Sequence, residues 1–117
     1  MVIEQGDVFW VEFNQPYGAD PGYRRPYVVV QNNTFNASRI DTVVACGITS
    51  NIDRGDAPGN VRLEQGEANL PRASVVNVSH MLTIDKRDLV DKIGTLSWRR
   101  VQQIVEGIHL LLDPNGF

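Results

Sequence analysis

The chain has 117 residues and is 42% hydrophobic, a size that supports one domain, residues 1–117, around a modest core. Its net charge of −3 argues against a generic polycationic nucleic-acid coat, yet its 11 Lys and Arg residues suffice to line a local basic groove. A single cysteine excludes an internal disulfide, and with no leader-like or long apolar stretch a soluble, cytoplasmic, non-membrane protein is expected.

Six Pro and ten Gly punctuate short apolar runs, which favours several short strands over long helices. The first strand is predicted at Val8–Phe13. A turn-rich loop follows, Asn14-Gln15-Pro16-Tyr17-Gly18-Ala19-Asp20-Pro21-Gly22. The second strand is predicted at Arg25–Asn32, entered at Pro26, because proline suits the start of a strand better than its middle. Gln31, Asn32 and Asn33 read as turn-forming or structural. A third strand, Thr42–Ile48, contains Cys46 in the run Val43-Val44-Ala45-Cys46, so a buried thiol is expected. Gly55 to Asn60 reads as loop, and further strands are predicted at Asn60–Glu64, Ser74–Ile84 and Lys92–Leu96, with a short turn over 85–89.

The last segment changes period. Trp98, Val101, Ile104, Val105, Ile108, Leu111 and Leu112 recur at spacings of three and four, behind Ser97 as N-cap and before Asp113-Pro114 as stop. This predicts an amphipathic helix that packs on a barrel or on a partner. Gly107 inside it costs about 1 kcal/mol relative to Ala, which points to close packing there. The fold class expected is mainly β: five or six short strands with a C-terminal helix.

The chemistry concentrates near Gly22-Tyr23-Arg24-Arg25-Pro26. Two adjacent arginines at the rim of a sheet, fed by a glycine-rich loop, suit the capture of a phosphate or carboxylate. Read alone, a surface ion pair between Arg25 and Asp20 explains the same residues. Tyr17 and Tyr23 flank the arginine loop and offer aromatic faces for stacking on a flat ligand, while Trp10 reads as core. His109 reads as a surface residue. Two histidines and one buried cysteine make no metal constellation, no phosphate-cradling glycine loop is present, and no cofactor is implied.

Four features in order resemble the MazF/PemK family of toxin endoribonucleases: the opening Gly6-Asp7 with its aromatic strand, the loop Gly18-Ala19-Asp20, the run Arg25-Pro26-Tyr27-Val28-Val29-Val30, and Ile48-Thr49-Ser50. The resemblance implies an SH3-like barrel and a homodimer. It implies a metal-independent, sequence-specific endoribonuclease that cuts single-stranded mRNA to 2′,3′-cyclic phosphate and 5′-OH ends. It also implies a small acidic or partly disordered antitoxin as protein partner.

The family's catalytic arginine falls on Arg25 and its threonine on Thr49, with Arg24, Ser50 and Asn51 extending the substrate-binding surface. Asp20 falls on the family's loop acid and would orient Arg25. Ala19 stands where the family often has serine, so that hydroxyl is missing. The acid–Gln pair common in the family is replaced by Ser79-His80, which makes His80 a candidate for contacting substrate bases rather than for proton transfer. The alternative from a different class is a non-catalytic barrel toxin that binds a protein such as DNA gyrase. Such a binding toxin has no need of the Arg25–Thr49 pair.

Overall fold

The computed structural model describes residues 2–13 and 24–116. Within them six antiparallel strands form one curled sheet: β1 (Asp7–Glu12), β2 (Arg24–Val29), β3 (Thr42–Thr49), β4 (Val61–Leu63), β5 (Ser74–Asp85) and β6 (Asp91–Thr95), in the order β4-β5-β3-β2-β1-β6. A four-residue helix α1 (Asn33–Asn36) follows β2, and helix α2 (Trp98–Leu112) ends the chain. The mainly-β expectation is met, and all six predicted strands are present within a few residues of their expected ends.

The largest difference is at the end of β2. The predicted strand ran to Asn32, but Val30 and Gln31 both donate to the Val44 carbonyl and the ladder stops. Asn32 then caps α1, its side chain accepting from the Phe35 amide at 3.1 Å. Gln31 spans this corner, its amide donating to the Asn36 side chain and the Thr42 carbonyl. These residues are structural, as read from the sequence.

Period-two alternation gives the sheet two apolar faces. Val8, Val28, Cys46, Ile48, Val76 and Val78 form one core, closed by Ile104 of α2. Phe9, Val11, Tyr27, Val29, Val43 and Ala45 form the other, closed by Ile3 and Leu89. Cys46 is fully buried, and desolvation pushes its thiol up to about 12.

The edge strands β4 and β6 share no ladder among the described residues. The 3-10 turn Glu67–Asn69 fills the interval between them: Asn69 Nδ2 donates to the Ile93 carbonyl at 2.9 Å, and the Gly94 backbone lies against Ala68. The Arg100 guanidinium grips both Glu67 carboxylate oxygens at 2.9 Å and so ties α2 to this seal. That fork holds the Glu67 carboxyl below its usual range.

The opening Gly6-Asp7 is a structural clamp. Gly6 has a φ of +95°, donates to the Val29 carbonyl and accepts from Leu96, joining β1, β2 and the end of β6. Asp7 is buried, with its carboxylate receiving the Glu4 amide, the Thr95 hydroxyl and the Lys92 ammonium.

Helix α2 buries Val101, Ile104 and Gly107, and Ser97 caps it as expected. Its stripe is only partly covered: Trp98 and Leu112 are about two-thirds exposed, at 68% and 65%. At its middle Gly107 meets Gly59 backbone to backbone. A Cβ at Gly59 would stand 2.9 Å from the Gly107 carbonyl, and one at Gly107 would collide with the Gly59 carbonyl. The close packing expected at Gly107 is present.

Candidate functional site

The site forms where two neighbouring strands part. β2 pairs with β1 from Arg24 onward, but its ladder with β3 begins only at Tyr27, opposite Gly47. Continuing that register would set Pro26 opposite Ile48 and Arg25 opposite Thr49. Pro26 has no N–H to extend the ladder. The ends of β2 and β3 therefore separate, and β3 pairs there only with β5, through Ile48↔Val76 and Thr49↔Val75.

Two depressions meet at this gap, and Arg25, Ile48 and Thr49 line both. The larger, about 650 Å³, is walled by Trp10, Arg24, Ser50, Asn51, Leu70 and Arg72. The smaller, about 220 Å³, is walled by Gly47, Arg54, Asn77 and His80. Four arginines thus face one gap, and no described lining residue is acidic. The local basic groove that the net charge left open is present among the described residues.

Arg25 and Thr49 lie on the sheet face that carries Tyr27 and Gly47, by two-residue alternation. The Thr49 hydroxyl accepts from the Asn51 backbone amide at 3.1 Å, which leaves its own proton for donation. Asn51 accepts in turn from Asp53 and caps the 3-10 turn Ile52–Asp56. Arg24 lies over the Trp10 ring, 5.0 Å from its centroid, and pairs with Asp91 of β6. Trp10 is half-buried in the cavity wall rather than part of the core, a correction to the sequence reading: the strand position was right, but the open ladder beside it bares one side of the ring.

His80 arrives by a different route. Between Cys46↔Met81 and Gly47↔Asn77, β3 advances one residue while β5 advances four. Val78, Ser79 and His80 form the excess, a bulge that re-aims its side chains. The imidazole lies over Gly47, where a Cβ would stand 2.6 Å from Nδ1, so only glycine makes room. Its Nε2 is 3.3 Å from the Tyr27 hydroxyl, and the two rings meet edge to face at 5.5 Å. Burial, and then the Arg25 cation, hold the imidazole below its ordinary range, so it is neutral at pH 7.

The structure therefore brings together Arg24, Arg25, Thr49, Ser50, Asn51 and His80. Tyr17, Asp20 and Tyr23 lie outside the described residues. His109 is exposed, as read from the sequence. Sequence reasoning did not single out Arg54, Arg72 or Asn77 for the site. Arg54 sits in the 3-10 turn Ile52–Asp56 and Arg72 in a loop, both with paths set by tertiary packing, and the register of Asn77 depends on the bulge.

Comparisons with known proteins identify the family and the fold. Residues 4–112 match the family described as PemK-like, MazF-like toxin of type II toxin-antitoxin system. Endoribonuclease MazF2 of Mycobacterium bovis and endoribonuclease MazF6 of Mycobacterium tuberculosis are each 40% identical over 113 residues, 97% of this chain and 99% of theirs. Among solved structures, a mycobacterial endoribonuclease in complex with its cognate antitoxin superposes with a TM-score of 0.77 at 22% identity, covering 96% of each chain. A MazE–MazF complex from Deinococcus radiodurans also gives 0.77, at 21% identity over 97% of this chain and 98% of that one. The curled sheet with its terminal helix is thus the fold of these toxins, and by the extent of the family match this chain belongs to the PemK-like, MazF-like toxin family of type II toxin–antitoxin systems.

Proposed function

We propose that this chain is a single-domain endoribonuclease, the toxin of a toxin–antitoxin pair, which cuts single-stranded RNA at the gap between β2 and β3. The observation that carries the reading is the convergence of Arg24, Arg25, Arg54 and Arg72 on one gap with no described carboxylate in its walls. Family membership, with relatives named as endoribonucleases, supports it.

Cleavage on this reading is internal transesterification. The 2′-oxygen bonds to phosphorus as the bond to the 5′-oxygen breaks. The 2′-hydroxyl loses its proton and the 5′-oxygen gains one, leaving a 2′,3′-cyclic phosphate and a 5′-OH. Negative charge builds on the phosphoryl oxygens in between. Arg25 presents an always-charged planar fork to those oxygens, and its high pKa suits it to charge stabilisation rather than to proton transfer. Thr49 adds a neutral donor oriented by Asn51. Arg24, Ser50, Asn51 and His80 bind substrate beside them, as do Tyr17, Asp20 and Tyr23 in this proposal.

No group of three His, Cys, Asp or Glu among the described residues is arranged to hold a metal ion, and the proposed chemistry uses none. Purified protein incubated with a long single-stranded RNA in excess EDTA is expected to cut it at a limited set of sites and leave 5′-OH ends. Intact RNA under EDTA, with cutting restored by magnesium or manganese, would reject the metal-independent mechanism.

The reading includes a homodimer, an acidic antitoxin that competes for the RNA groove, and a cytoplasmic location. No described helix is long and apolar enough to cross a membrane. The exposed Trp98 and Leu112 leave apolar surface for protein contacts. Light scattering at micromolar concentration is expected to give the mass of two chains, and a monomer that retains full cleavage activity would remove the dimer from the mechanism. The gyrase-binding alternative has no observation in its favour, and the relatives named above are endoribonucleases.

A further inference from the structure

The smaller depression is built differently from the larger. The larger has an apolar wall of Trp10, Leu70 and Pro71, suited to a base. The smaller has almost none: its walls are two guanidiniums, a threonine hydroxyl, an asparagine amide and an imidazole over a glycine floor. Such a surface suits an anion.

Its walls are also fixed to each other. Asn60 donates from Nδ2 to the Arg54 carbonyl and accepts at Oδ1 from the Val78 amide, both at 2.9 Å. One side chain thus locks the turn that carries Arg54 to the bulge that carries His80. Behind the turn, Gly59 is seated on Gly107 of α2. Asp56, on the same turn as Arg54, is engaged by Arg62 at 2.7 Å, and no described carboxylate pairs with Arg54 itself. The depression opens onto Arg25 and Thr49, so an anion held there lies next to the one held at the gap.

We propose that Arg54, with Asn77 and His80, forms a second phosphate subsite, which binds the RNA phosphate adjacent to the scissile one. This rests on the endoribonuclease reading of the same gap. Arg54 acts in binding and not in the bond-breaking step, so its loss weakens affinity and leaves the rate of the bound complex intact.

The test uses a short RNA centred on a cleavage site mapped with the wild-type protein, made uncleavable by a 2′-deoxy sugar at the scissile linkage. Arg54→Gln is expected to fold as wild type, since only the Arg54 backbone is used in the turn. It should bind this RNA about tenfold more weakly. The slope of log affinity against log salt should fall by about 0.7, the value for one phosphate contact on a single strand. Replacing one of the two neighbouring phosphates by a neutral methylphosphonate should weaken wild-type binding by the same factor and leave Arg54→Gln unaffected. Single-turnover cleavage of the all-RNA version at saturating protein should be unchanged. A wild-type protein that cuts RNA beside an Arg54→Gln variant of equal affinity and equal salt slope would overturn the subsite alone. So would methylphosphonate losses as large in the variant as in wild type. A wild-type protein that neither cuts nor binds RNA would overturn the endoribonuclease reading, and this subsite with it.

Discussion

Arg25→Ala is expected to slow RNA cleavage by about a hundred- to a thousand-fold while the protein stays folded and still binds RNA. Removing one preorganised donor from a developing oxyanion typically has this effect, worth about 3–4 kcal/mol of transition-state stabilisation. The fold should survive because Arg25 is an exposed residue on β2, beyond the ladder with β3. Affinity should survive because Arg24, Arg54 and Arg72 remain around the gap. Single-turnover rates at saturating protein, measured beside the Kd for an uncleavable RNA, separate the two effects. Arg24→Ala supplies the contrast. Its guanidinium is shared between the Trp10 ring and Asp91, so its loss should weaken binding more than it slows chemistry. If Arg25→Ala cleaves at close to the wild-type rate, or if the two variants show the opposite order, the wrong arginine has been assigned.

Gly107→Ala is expected to destabilise the protein by about 2 kcal/mol, which lowers Tm by roughly 10 °C for a chain of this size. Two effects oppose each other here. Helix propensity favours Ala over Gly by about 1 kcal/mol in the middle of α2. Against it, the new Cβ collides with the Gly59 carbonyl, a backbone atom that cannot rotate away. Either the helix lifts from Val101 and Ile104, or the loop retreats from Gly59, whose φ of +82° is already one that few other residues adopt. Overpacking of this kind outweighs propensity. Glu106→Ala, one residue away on the exposed side of the helix, is the control and should leave Tm within about a degree or two. A Gly107→Ala variant that melts at or above the wild-type temperature would show that the helix and loop separate without cost.

These two residues also mark how much the sequence discloses. Gly107 could be flagged from the chain alone, because a glycine inside an otherwise regular 3.6-residue pattern must have a reason in packing. Its partner could not, because Gly59 lies in a Gly- and Pro-rich loop of ordinary composition. The strands were legible from alternation and from the Gly, Pro and Asn residues that punctuate the segments between them. Arg25 and Thr49 were legible through their place in a family pattern. That they should face each other follows from the register of Tyr27 and Gly47, which is a tertiary fact. Trp10 was misplaced for the same reason: alternation says which face a residue takes, but not where a ladder opens beside it. The opening Gly6-Asp7 carries the family resemblance, yet its carboxylate is sealed beneath Lys92 and Thr95 and serves the fold.

The bulge in β5 separates what must be kept from what can change. On either side of Val78, Ser79 and His80 the strand is back in register with β3, and the inserted loop is anchored through the Val78 amide by Asn60. Ser79 is exposed and His80 half-exposed, so neither holds the sheet together. Their substitution leaves the ladders and the arginines at the gap where they are, and removes from the core only the contact of His80 with the Tyr27 ring. The two positions therefore form a cassette: a library randomised at 79 and 80 should return mostly folded proteins that differ in what they prefer to bind.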